Sequence, residues 1–164
     1  MSIFVNQGIV ATELPKIKLD DLDLIKATIK IKGGKRLKDR ILPLKASQIG
    51  LIMQYLQKIR PQLLEYNVSD SKKMFLPIRE VSKKHENSEI DNFLPLLARQ
   101  IRQIDKQFLN FTQIRASLIT NWLKTHGLRK AQYMAGHRFI STTEAYLSNN
   151  LDDLTDDINK LHPF

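Results

Sequence analysis

The 164-residue chain has no cysteine, which excludes disulfide bridges and thiolate metal sites. No apolar run approaches the ~18 residues that cross a bilayer. The first residues also lack a basic segment leading into an apolar core and small cleavage residues. The expectation is a cytoplasmic protein without a membrane partner. His85-Glu86 starts like a zinc-protease motif, but position 89 is Glu where a second histidine would stand. Gly33-Gly34-Lys35 lacks the leading glycine spacing and the trailing Ser or Thr of a phosphate-binding loop. No metal and no cofactor is implied. Asn67-Val68-Ser69 and Asn110-Phe111-Thr112 satisfy the glycosylation sequon, which carries no meaning in a cytoplasmic chain. Internal repeats and low-complexity tracts are absent as well.

Acid is in short supply too: 17 Asp and Glu face 26 Lys and Arg, a formal charge of +9. The excess is uneven. Residues 28–45 carry Lys30, Lys32, Lys35, Arg36, Lys38, Arg40 and Lys45 against Asp39 alone, whereas 151–164 is acidic, with Asp152, Asp153, Asp156 and Asp157 against Lys160. A concentrated basic stretch of this kind suits a polyanion.

What is present is ordinary globular material, 42% hydrophobic and 26% charged, enough for one domain over 1–164. Residues 2–7 read as the last turns of a helix ending at Gly8, and a short helix follows from Thr12 through Ile17. Ile29 and Ile31 alternate with Lys30 and Lys32, Gly33-Gly34 is a turn signal, and 39–44 returns as a second strand. Helical spacing runs from Ser47 to about Ile59, where Pro61 is expected to stop it. Residues 66–73 and 82–88 read as polar connections around a short apolar stretch at 74–78. A helix from Glu89 to Phe108 should bury Ile90, Phe93, Leu94, Leu97, Ile101 and Ile104. Two more helices span 112–126, stopped by Gly127, and Leu128–Ala135, closed by Gly136 in a left-handed cap. Ser141 and Glu144 read as a capping box, and Leu151, Leu154, Ile158 and Leu161 line a terminal helix. The fold class is mainly α with a small antiparallel β-sheet (α+β).

Four features then stand in order: Arg115 on a long helix, Gly136-His137 after the next, the pair Thr142-Thr143, and Tyr146 nine residues past His137. Taken singly, each is commonplace. A helical tyrosine usually packs, a Gly-His pair usually caps, and a charged hairpin tip is usually only solvated. Together, R…GH…TT…Y resembles the C-terminal signature of the tyrosine recombinase (phage integrase) family. Gly8-Ile9-Val10-Ala11-Thr12-Glu13-Leu14 is similar to that family's G-L-R-x-x-E-L segment. Asp20-Asp21-Leu22-Asp23-Leu24 and the hairpin ending Arg40-Ile41-Leu42-Pro43-Leu44 fit as well.

The resemblance implies a recombinase catalytic-domain fold and metal-free breakage of a DNA phosphodiester. Such a reaction needs a nucleophile, charge compensation and a proton for the leaving oxygen. Tyr146 would attack phosphorus and hold the 3′ end as a phosphotyrosyl ester. Arg115 would fork two phosphate oxygens, His137 would donate to a non-bridging oxygen, and Lys35 would protonate the 5′-oxygen. Arg36 or Lys38 could take the place of Lys35, because hairpin register is open. Lys32, Arg36, Lys38, Arg40 and Arg138 would contact DNA. The implied partners are duplex DNA and further copies of the chain, a tetramer on DNA, with the terminal helix packing on a neighbour or on its own core.

Two positions depart from the family pattern. Val10 stands where the first arginine is expected, and Thr112 stands where a histidine is expected, three before Arg115. Thr112 can donate a hydrogen bond but is no base near neutral pH. A missing donor to a developing oxyanion costs about 10² to 10³ in rate. Either another cation reaches in, with Arg36, Arg79 and Arg40 as candidates, or the chain is a catalytically impaired DNA-binding remnant of an integrase. A helical scaffold with no nucleic-acid role is the third alternative. The family usually carries an N-terminal DNA-clamping domain before this segment, so the chain reads as a remnant or a piece of a longer recombinase.

Overall fold

The structure, a computed structural model, describes residues 1–65, 72–76 and 88–147. Helix α1 (Ser2–Gln7) leads into a 3-10 helix, Ala11–Lys16. Strands β1 (Leu22–Asp23), β2 (Thr28–Ile31) and β3 (Arg40–Pro43) form one antiparallel sheet in that order. Helices α2 (Ala46–Gln54) and α3 (Arg60–Glu65) follow, then α4 (Ser88–Ile104), α5 (Phe111–His126) and α6 (Leu128–Ala135). Helix α7 spans 141–147, the last helix among the described residues. The chain is mainly helical with one small antiparallel sheet, as the sequence pattern implies. The expected terminal helix at 151–161, most of the two polar connections, His85-Glu86 and Arg79 lie outside the described residues.

The hairpin forms where alternation places it. Ile29 pairs with Leu42 and Ile31 with Arg40, so Ile29, Ile31 and Leu42 share the inner face and Lys30 faces out. Period 2 leaves no freedom here. It also turns Arg40 inward, where its side chain is 0% exposed. Arg40 is therefore not the surface DNA contact that its charge suggests.

One core cluster joins α1, the 3-10 helix, the sheet, α2 and α4, and includes Phe4, Ile9, Ile17, Leu42, Ile52 and Leu94. A second is built by α5 and α6 around Ile119, Trp122, Leu123 and Ala131. The Phe4 and Phe111 rings, 4.6 Å apart, bring α1 against α5. These contacts hold the segment around Gly8 beside the Arg115 turn.

Three local expectations are corrected. Pro61 does not stop the helix. Residues 55–59 form a π-turn between α2 and α3, so the i−4 bond that proline cannot make is given up at a bulge and the chain carries on. Helix α4 ends at Ile104 rather than Phe108, and its buried face is narrower than the apolar stripe. Leu94 and Ala98 are buried, while Phe93 and Ile104 are exposed. Ser141 lies inside α7 and is not its cap. The Ile140 carbonyl accepts from Thr143 and Glu144 N–H and closes the first turn.

Gly136 behaves as expected, ending α6 at φ 71°. A β carbon there would also stand 2.8 Å from Arg40 Nη1 and 3.0 Å from the Lys38 carbonyl, so glycine lets the hairpin close on this loop.

Candidate functional site

The hairpin tip is tied to the loop after α6. Lys38 N–H donates to the Gly136 carbonyl at 2.8 Å, and Leu37 forms an antiparallel bridge with His137. Gly33 N–H donates to Asp39 Oδ1 at 2.9 Å, and Arg138 Nη2 donates to the Gly34 carbonyl at 3.2 Å. These bonds hold Lys35 and Arg36 on one wall of a hollow of about 970 Å³.

Arg115, one turn into α5, forms the floor and is 5% exposed. Its guanidinium donates to the Gly8 carbonyl, to the Ala135 carbonyl at 2.6 Å, and to His137 Nε2 at 3.3 Å. Three distant segments are clipped together by one planar group. Burial and the neighbouring Arg40 push the guanidinium down from its ordinary value, while Glu13 and Tyr146 oppose the shift.

An arginine has no acceptor, so Nε2 of His137 must accept, and the ring proton sits on Nδ1. Nδ1 then donates to Thr143 Oγ1 at 2.9 Å. Burial first, then Arg115 and Arg40, lower the His137 pKa from 6.5 to about 4. The sign follows from linkage. Above 6.5 the imidazole is neutral folded and unfolded; as pH falls from 6.5 toward 4, only the unfolded chain gains the proton, and stability declines. The His137 ring resonances are expected to stay flat from pH 8 to 5.5 and to titrate near 4. A midpoint near 6.5 in NMR would contradict this environment.

Behind Arg115 lies a second buried cation with its partner. Arg40 grips Glu13 in a two-pronged pair, Nη1 to Oε1 at 2.7 Å and Nη2 to Oε2 at 2.9 Å. Glu13 Oε2 also accepts from the Val10 N–H at 3.0 Å. Glu13 is the sole acid among the described residues lining the hollow, and Arg40 neutralises it. The lining cations Lys16, Lys35, Arg36 and Arg138 have no carboxylate partner among the described residues.

Tyr146, on α7, is half-buried and lines the same hollow. Its ring lies nearly parallel to that of His137, 17° between planes with centroids 6.1 Å apart, and packs on the α5–α6 cluster. It is not walled into the interior. Four candidates chosen from sequence, Arg115, His137, Lys35 and Tyr146, thus face one space, with Thr112, Arg36 and Arg138 on its lining. Lys32 and Lys38 are not on that lining; Lys32 pairs with Asp21 at 3.6 Å, and Lys38 is exposed beside the hairpin. Val10 lines the hollow with no charge to offer. Sequence reasoning does not single out Lys16 or Phe139, nor the Thr143 contact to His137. The eclipsed i, i+3 spacing of a 3-10 helix, which aligns 13 and 16, is the signal that points to Lys16.

Residues 1–152 match the phage integrase family, and the chain belongs to it. The tyrosine recombinase XerD of Staphylococcus saprophyticus is 31% identical over 166 residues, covering 95% of this chain and 51% of that protein. Tyrosine recombinase XerC of Natranaerobius thermophilus is 29% identical over 168 residues, covering 99% and 54%. Among solved structures, XerA recombinase aligns with a TM-score of 0.69 at 22% identity, covering 99% of this chain and 57% of that one. XerH site-specific recombinase, bound to a palindromic difH substrate after cleavage, gives 0.70 at 22% identity, over 96% and 43%. The fold is theirs, and the chain spans about half the length of the curated relatives it matches.

Proposed function

We propose that this chain is the strand-cleaving domain of a site-specific DNA recombinase or integrase, working through a 3′-phosphotyrosyl intermediate. The observation that carries the reading is the convergence of Arg115, His137, Lys35 and Tyr146 on one hollow whose only acid among the described residues is already neutralised. Tyr146 O attacks phosphorus as its proton passes to water in the open hollow. The bond to O5′ breaks, and Lys35 Nζ gives that oxygen a proton. Arg115 holds the non-bridging oxygens, and His137 adds a donor when its single ring proton moves from Nδ1 to Nε2, the Thr143 hydroxyl then donating to Nδ1 so that the ring stays neutral. The ester conserves the energy of the broken bond, so a 5′-hydroxyl reverses the step and rejoins the strand.

Arg36, Lys38 and Arg138 border the hollow or its hairpin and suit backbone phosphates, with binding that weakens steeply as salt rises. Each tyrosine is occupied until rejoining, and exchange between two duplexes breaks four strands. Four copies on DNA follow from that count. The relatives come from bacteria, which supports a bacterial cytoplasm as the place of action and a mobile element or chromosome as the DNA served.

The test is capture of the intermediate from a random-sequence pool of nicked duplexes. A protein–DNA adduct resistant to denaturant, mapped by mass spectrometry to Tyr146, is the expected result. Duplexes bound but never linked would favour the second reading, a DNA-binding remnant that has lost cleavage, for which Val10 and Thr112 speak. The proton donor has its own test. Lys35→Ala is expected to slow linkage by about 10²-fold on an ordinary strand. A 5′-bridging sulfur, whose thiolate leaves without a proton, should restore the rate. A defect that persists with sulfur would remove Lys35 from that role.

A further inference from the structure

The phosphorane formed in cleavage carries one more negative charge than the phosphodiester, and the cations already assigned do not match it. Arg115 supplies one positive charge. Arg40 is locked on Glu13. Lys35 gives up its proton in the step, and Arg36 and Arg138, on the hairpin side of the hollow, are assigned to flanking backbone phosphates, with Arg138 Nη2 tied to the Gly34 carbonyl. His137 is held neutral by burial and its cationic neighbours.

One wall remains. In the 3-10 helix Ala11–Lys16 residues three apart eclipse, so Glu13 and Lys16 form a ridge that continues from the extended cap residue Val10, and all three line the hollow. The ridge begins with an apolar side chain, continues with a neutralised carboxylate and ends in an exposed ammonium. Lys16 Nζ reaches across to the hairpin tip, 3.6 Å from where a β carbon on Gly34 would stand. It therefore lies beside the residue that precedes Lys35 and has no carboxylate partner among the described residues. Of the described lining cations without a carboxylate, it alone comes from the wall that carries Val10.

We propose that Lys16 is a further catalytic residue, its ammonium contacting the scissile phosphate and supplying the second positive charge from the Val10 wall. This rests on the cleavage reading above. A phosphate there would lie between Arg115 below and two ammoniums at the hairpin tip, Lys35 from the hairpin itself and Lys16 reaching over from the 3-10 helix. A lysine suits the position as a mobile point charge at the end of a four-carbon stem.

The test uses the full chain and the duplex recovered from the random pool, made with either an ordinary phosphate or an uncharged methylphosphonate at the cleaved position. Single-turnover linkage and duplex affinity are read for wild type, Lys16→Ala, Lys16→Arg and Arg36→Ala. Lys16→Ala is expected to slow linkage of the phosphate strand by about 10²-fold. It should leave affinity nearly unchanged and link the methylphosphonate strand at the wild-type rate, because that linkage develops one charge fewer. Lys16→Arg should retain most of the rate. Equal slowing on both strands would mark a structural role, and lost affinity alone would mark a flanking phosphate contact. A linkage-selective defect in Arg36→Ala instead would move the charge to the hairpin. Each of these overturns the proposal. Wild-type linkage with an unaffected Lys16→Ala removes Lys16 only, whereas a wild type that binds without linking removes the cleavage reading as well.

Discussion

Tyr146→Phe is expected to end adduct formation while leaving the protein folded and bound to DNA. The substitution removes one oxygen. The ring keeps its place against the α5–α6 cluster and its stacking on His137. Stability should move by no more than about 0.5 kcal/mol, as for other changes that neither open a cavity nor bury an unpaired group. Cleavage should fall by about 10⁴-fold or more, the order lost when a covalent nucleophile is deleted. The measurement is denaturing-gel capture on the nicked duplex, with gel shift and thermal melting on the same sample. A Tyr146→Phe protein that still links DNA would mean that the nucleophile lies elsewhere and that α7 merely packs.

The second large effect is on stability. Arg40→Ala is expected to destabilise the chain by about 3–5 kcal/mol, the range for stranding one partner of a buried ion pair. Glu13 is 3% exposed and would lose its ion-pair partner, keeping the Val10 N–H and the less direct attraction of Arg115. Replacing both residues by apolar ones of similar volume, Arg40→Met with Glu13→Leu, should recover most of the loss, because no charge is then left in a poor solvent. Denaturant midpoints of the three variants measure this. An Arg40→Ala protein with the wild-type midpoint and weaker DNA binding would restore Arg40 to the surface role its charge suggests.

Much of the fold is legible in local pattern. The hairpin alternation, the helices around Arg115 and Ala131, and the left-handed stop at Gly136 all depend on backbone geometry within a few residues, and all stand where the pattern puts them. The misreadings share a cause, a local signal outweighed by its surroundings. Charge alone puts Arg40 on the surface, although residues 40, 42 and 44 have the same parity and Leu42 and Leu44 are core. Pro61 signals a stop, although a π-turn just before it absorbs the missing bond. Ser141 has the right spacing to Glu144 for a cap, yet Ile140 closes that turn and Thr143 serves His137.

The candidate site divides the same way. The residue types and their order, from the hairpin lysine through Arg115 and Gly136-His137 to Tyr146, are a property of the one-dimensional string, and they alone point to the family that residues 1–152 match. Which cations face the hollow is not. Glu13 and Arg40 are 27 positions apart, Arg115 and Gly8 are 107 apart, and nothing local dictates that either pair meets. Chain geometry over a few residues sets period and turn, and so is written in sequence. Whether a charge is buried in a pair or left facing solvent depends on what packing brings beside it. Only the tertiary structure decided that Arg40 is neutralised while Lys16 meets no carboxylate among the described residues.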